Sequence, residues 1–100
     1  MNLKIEETDE RYLVTLEGIM DSPAVLETEE LIEPVAKGDK DVVIDCSHLS
    51  YIASSGLRVL LSVRQATGAN GKEVIVRGLN DEIKSVFEAT GFINLFTLED

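Results

Sequence analysis

The chain of 100 residues has one cysteine, one histidine and no tryptophan. A lone cysteine, Cys46, excludes an internal disulfide, and it has no partner at zinc-ligand spacing, so it reads as a small buried hydrophobe. Aromatic residues make up only 5% of the chain, which leaves no stacking platform for single-stranded nucleic acid. Basic residues are also scarce, nine against nineteen acidic ones, and the formal net charge of −10 repels phosphate backbones and anionic head groups. Direct nucleic-acid binding is not expected. No segment approaches the roughly 20 apolar residues that cross a bilayer, and the opening "MNLKIEETDE" has no apolar run after its first charges. The expectation is a soluble, cytoplasmic chain without membrane insertion.

Catalytic motifs are missing as well. There is no G-x-S-x-G elbow, no G-x-x-x-x-G-K-[ST] phosphate loop and no G-x-G-x-x-G fingerprint, and Gly68-Ala69-Asn70-Gly71 follows a helical run, where it reads as a turn. A Ser-His-Asp arrangement would need His48 beside Ser54 or Ser55. It lies only six or seven residues earlier, near a strand end, and reads as a loop histidine. With no paired nucleophile and base, no metal ligands and no cofactor motif, the chain is expected not to be an enzyme. Glu27, Glu29, Glu30 and Glu33 form an acidic run on one helix, read as a solvated face.

What is present is an aliphatic core composition, 44% hydrophobic, in a chain long enough to bury roughly two-thirds of its unfolded surface. Residues 1–100 make one domain. "NLKIEE" and "RYLVTLEG" alternate apolar and polar residues around Thr8-Asp9-Glu10, the period-2 signature of an antiparallel hairpin. Ser22 as cap and Pro23 at the first helical position predict a helix start, with Val25, Leu31, Ile32 and Val35 along the segment to Lys37 and Pro34 kinking or ending it near Glu33. "KDVVIDCSHL" and "KEVIVRG" are near-continuous apolar runs, expected for central parallel strands with both faces covered. Between them Ser55 to Ala66 carries Leu57, Leu60 and Leu61 at one-face spacing. Asn80 caps a further helix with Ile83, Val86 and Phe87 inward and Gly91 as its left-handed stop, and "LFTL" reads as a closing strand. The whole predicts an α/β fold, a mixed sheet with a parallel core and an N-terminal antiparallel hairpin, its helices mainly on one face.

One stretch, "HLSYIASSGLRVLLSVRQATGANG", sets two serines and a glycine at the start of an amphipathic helix. By capping chemistry alone Ser54 is a helix N-cap, Ser55 a first-turn residue and Asp21 a turn or cap residue. Together these residues carry a resemblance. "YIASSGLRVLL" resembles the Asp-Ser-Ser/Thr-Gly-Leu segment of the STAS domain in bacterial anti-sigma factor antagonists, "LEGIMD" its Gly-x-Leu-Asp segment, and "IKSVFEATGFINLF" its closing helix and strand. The likeness spans essentially the whole chain.

The resemblance implies a non-enzymatic switch. Its unphosphorylated form would bind an anti-sigma factor with serine kinase activity and free the sigma factor. Phosphorylation at Ser54 would block that binding, and a PP2C-type phosphatase would restore it. Asp21 matches the family's acidic residue near the phosphosite, and the implied docking surface comprises Asp21, Ser54, Ser55, Gly56, which would admit a partner backbone, and Leu57. Ala53 departs from the pattern, standing where the family usually has Asp. The alternative is a STAS scaffold subunit of a sensory or lipid-transport complex, in which Ser54 is only a cap.

Overall fold

The computed structural model describes residues 2–99, Ser22 by its backbone alone. The alternating start forms the expected hairpin: β1 (Asn2–Glu7) and β2 (Arg11–Met20) pair antiparallel. Thr8 closes it, its hydroxyl donating to the Arg11 carbonyl at 3.1 Å. The chain continues through α1 (Ser22–Ala36), β3 (Asp41–Ile52), α2 (Ser54–Ala69), β4 (Val74–Arg77), α3 (Asp81–Thr90), a 3-10 turn (Phe92–Asn94) and β5 (Thr97–Glu99). Strand order in the five-stranded sheet is β1-β2-β3-β4-β5, with β2 to β5 mutually parallel.

A strand order that simply advances, joined by right-handed crossovers, puts successive helices on the same side. All three helices accordingly bury their apolar stripes in one core. Val14, Leu16, Val42, Ile44 and Val76 from the sheet meet Val25 and Ile32 from α1, Leu57, Leu60 and Val63 from α2, and Ile83 and Phe87 from α3. The other face carries no helix among the described residues, so the expectation that both faces of the central strands are covered is corrected. Val43, on that face, is 1% exposed yet stands outside the core cluster, because Leu13 and Ile75 flank it in register.

The structure departs from the sequence expectations at several points. Pro34 does not end α1, which runs on to Ala36. The exposed proline leaves the next residues to packing: Val35 and Ala36 are buried, and the chain's carbonyls there find donors on α2 and its C-cap. Thr67 Oγ1 donates to the Ala36 carbonyl at 3.2 Å, and Asn70 Nδ2 donates to those of Lys37 and Gly38 at 3.1 Å each. These contacts offset the roughly 3 kcal/mol of an interior helix proline. They also explain why α2 continues past Ala66: Thr67 is wholly buried against α1. Leu31 and Val86 are exposed at 48% and 38% and are not inward residues, whereas Asn80 and Gly91 terminate α3 as expected. His48 lies within β3, paired with Glu17, rather than in a loop. The closing strand begins only at Thr97, because Phe96 is drawn into the core beside Phe87, ring centroids 6.0 Å apart.

Candidate functional site

The two central strands β2 and β3 end level. Their last pair is Met20 with Ile52, and the Ala53 amide donates to the Met20 carbonyl at 2.9 Å, so the chain leaves the sheet twice at neighbouring points of its carboxyl edge. One exit starts α1 and the other starts α2. Asp21 caps α1: its backbone is extended (φ −101°, ψ 179°) and Oδ1 accepts from the Ala24 amide at 3.4 Å. The helix therefore begins one residue earlier than a cap at Ser22 would put it. The capping role considered for Asp21 is the one it fills, and its side chain stays exposed.

Ser54 is not the cap of α2. That position belongs to Ala53 (φ −81°, ψ 167°), which has no side-chain acceptor to offer the first turn. Ser54 is the first helical residue, exposed, and its hydroxyl makes no hydrogen bond among the described residues. Ser55 follows, half-buried. Gly56 is buried, and a Cβ there would stand 2.7 Å from Ile52 Cγ1 and 3.1 Å from the Met20 side chain. The close approach it allows within the chain is that of α2 to its own strand ends. Leu57 is 8% exposed and joins the core. Of the expected docking residues, Asp21 and Ser54 thus face solvent while Gly56 and Leu57 hold α2 in position beneath them.

Two helix N-termini meet at this edge, each with its positive dipole end and its unpaired amides directed outward. The acidic side chain among them is Asp21, and Arg58 lies exposed one turn beyond Ser54 on the same helix face. The edge can therefore carry an added anion on Ser54 without refolding. His48 is exposed on β3 and makes no hydrogen bond to Ser54 among the described residues, so the two do not form a nucleophile and base. No helix of the described residues is long and apolar enough to cross a membrane, and those residues hold no cluster of three potential metal ligands.

Below the edge, the helix-free face carries an ionic row. Asp45 accepts from the Ser47 amide at 2.9 Å and hydroxyl at 2.6 Å and lies 3.6 Å from Arg77, which in turn reaches Glu99 at 3.9 Å. Burial acts to raise the Asp45 carboxyl, but the Ser47 hydrogen bonds and the Arg77 charge outweigh it and leave it below its ordinary value. Cys46, next along, points into the core, where burial and then the neighbouring Asp45 charge push its thiol up to about 12. It is the small buried hydrophobe expected from sequence.

Sequence reasoning missed two residues of this region. Ile19 and Tyr51, directly paired across β2 and β3, are 51% and 52% exposed. The available signal was spacing: Leu49 and Ile52 are both buried but three residues apart, which strict alternation forbids and a bulge permits.

Comparison with known proteins agrees with this anatomy. A profile of the STAS domain matches residues 2–100. The anti-sigma-B factor antagonist of Staphylococcus aureus is 34% identical over 103 residues, covering 100% of this chain and 95% of the relative. Among solved structures, the anti-sigma factor antagonist SpoIIAA in its unphosphorylated form superposes with a TM-score of 0.80 at 20% identity, covering 99% of this chain and 88% of that one. Bacillus SpoIIAA in the phosphorylated form gives 0.78 at 20% identity, covering 99% and 92%. The structural matches establish the fold, and the profile and the full-length relative go further: with every element from the hairpin to the closing strand inside the match, the chain belongs to the STAS domain family.

Proposed function

We propose that the protein is an anti-sigma factor antagonist and a non-enzymatic partner switch. Unphosphorylated, it binds an anti-sigma factor with serine kinase activity and so releases the sigma factor. Phosphorylation of Ser54 ends that binding, and a PP2C-type phosphatase restores it. The observation that carries the reading is the exposed Ser54 hydroxyl, without a hydrogen-bond partner among the described residues, at the first position of α2, beside Asp21, in a chain 34% identical to an anti-sigma-B factor antagonist along its whole length. A kinase needs a hydroxyl it can reach, and Ser54 offers one.

Physical chemistry supports the switching step. Phosphate adds about −1.5 to −2 charge at pH 7, and at a helix N-terminus the macrodipole favours it by roughly 0.3–1 kcal/mol. The fold tolerates the group while the surface around it changes sign and hydration, so binding is lost through repulsion and desolvation. SpoIIAA itself has been solved in both states, and this chain superposes on the two almost equally, with TM-scores of 0.80 and 0.78.

The test is incubation with a serine-kinase anti-sigma factor and ATP, followed by mass mapping and by affinity measurement of both forms. Phosphate on Ser54 and weakened binding are expected. A phosphate elsewhere in the parent chain, or a Ser54→Ala variant and a Ser54→Asp variant that both bind like the parent, would favour the scaffold reading.

A further inference from the structure

We infer that Ile19 and Tyr51 form the apolar anchor by which the anti-sigma factor holds this chain, seated in an apolar socket with a basic rim on that partner. The inference rests on the function proposed above and adds a binding element to the same edge. Among the described residues six large apolar side chains are substantially exposed: Ile5, Ile19, Leu26, Leu31, Tyr51 and Val86. Scattered single residues of this kind are ordinary on any surface. Ile19 and Tyr51 differ from the rest because they are direct cross-strand neighbours, side by side on the helix-free face.

Their exposure is built into the backbone. Between Asp45 and Tyr51, β3 carries extra residues relative to β2, with register shifts between Thr15 and Glu17 and again between Gly18 and Ile19. Gly18 takes φ 96° at the second shift, a conformation that a larger side chain resists. The result leaves Met20, Leu49 and Ile52 in the core and turns Ile19 and Tyr51 outward together. Bulges that re-aim side chains are characteristic of functional edges.

The position of the pair points to the occupant. Ile19 is two residues before Asp21 and Tyr51 three before Ser54; at about 3.3 Å per residue, both lie within roughly 10 Å of the proposed switch. The patch is therefore continuous with the Asp21–Ser54 surface. A second copy of the chain is a poor occupant, since each carries a net charge of −10. Glu17 precedes the pair and Asp21 follows it, which suits a partner with cations around an apolar pocket. Tyrosine is also among the residues most often found at binding hot spots. Such an anchor makes the phosphoswitch effective: docking the apolar pair dehydrates its surroundings, and a phosphate on Ser54 would have to lose its water as well.

The experiment measures affinity for the purified serine-kinase anti-sigma factor of the same genome with the parent and with Ile19→Ser, Tyr51→Ser, the double variant, Tyr51→Phe and Leu31→Ser. Melting and circular dichroism establish that each is folded. Ile19→Ser and Tyr51→Ser should each bind about tenfold or more weakly, as hot-spot truncations do, and the double variant more weakly still. Tyr51→Phe keeps the ring and should retain most of the affinity. Leu31→Ser, far along α1, should bind like the parent. A folded double variant with parental affinity refutes the anchor and leaves the proposed function standing. Failure of the parent to bind defeats the proposed function and the anchor's partner together. Parental self-association in sedimentation that the double variant abolishes would assign the face to a second copy and overturn the partner named here.

Discussion

Ala53→Asp should stabilise the protein by giving α2 the side-chain cap it lacks. The three helices begin on residues with nearly the same extended backbone: Asp21 at φ −101°, ψ 179°, Ala53 at −81°, 167°, and Asn80 at −74°, 168°. Asp21 and Asn80 each accept a hydrogen bond from the amide three residues on, Asn80 Oδ1 from Ile83 at 2.8 Å. Ala53 has the same geometry and no acceptor. Its equivalent donor is the Gly56 amide. An aspartate at 53 needs no backbone change to reach it and should gain about 1 kcal/mol, within the usual 0.5–2 kcal/mol of an N-cap exchange. For a domain of this length that is a rise in melting temperature of about 4–8 °C. Ala53→Ser supplies the acceptor without the charge and should give a similar rise.

The same pair of variants separates capping from kinase recognition. If the family's usual aspartate acts only by ordering the first turn of α2, both variants should raise the rate at which the cognate kinase phosphorylates Ser54. If the carboxylate itself is recognised, Ala53→Asp alone should do so. Thermal melts and a timed phosphorylation assay on the three proteins are sufficient. A melting temperature that is unchanged or lower in both variants would refute the capping argument, since the backbone at 53 would then be unable to present an acceptor to the helix.

Ser54→Ala should change stability by less than about 0.5 kcal/mol while abolishing the proposed phosphorylation, because the hydroxyl has no partner to lose among the described residues; a large loss in a melt would show a structural role for it. Pro34→Ala should stabilise the fold by about 2 kcal/mol, the interior-proline penalty less the entropy regained by the unfolded chain, and a destabilised variant in urea melts would contradict the account of α1. Asp45 titrates below its ordinary value when folded, so its contribution is complete above the unfolded pKa of about 4 and lost as pH falls through the folded one. Melts across pH should therefore show Asp45→Asn less stable than the parent near neutrality, with the difference shrinking as pH falls through the folded pKa; parallel curves would show that the carboxylate contributes nothing.

Much of this fold is legible because local signals and tertiary packing agree. Alternation gives the hairpin, Asn80 and Gly91 bracket α3, and the advancing order of strands puts the helices on one face. The failures have a common cause: a local rule is overridden by a contact distant in sequence. Pro34 reads as a stop, yet donors on α2 and its C-cap, more than thirty residues away, satisfy the carbonyls beyond it. Ser54 reads as a cap because serine is good at capping, but Ala53 holds the cap position and Gly56 lets the helix settle onto Met20 and Ile52. The same override hid two exposed apolar residues beside the edge. Uniform alternation through β3 is broken by the register shifts against β2, which keep Leu49 and Ile52 inside and turn Tyr51 outward beside Ile19. A motif thus locates the start of α2 to within a residue, while the surface proposed here for a partner is set by how two strands are paired, which no single stretch of sequence contains.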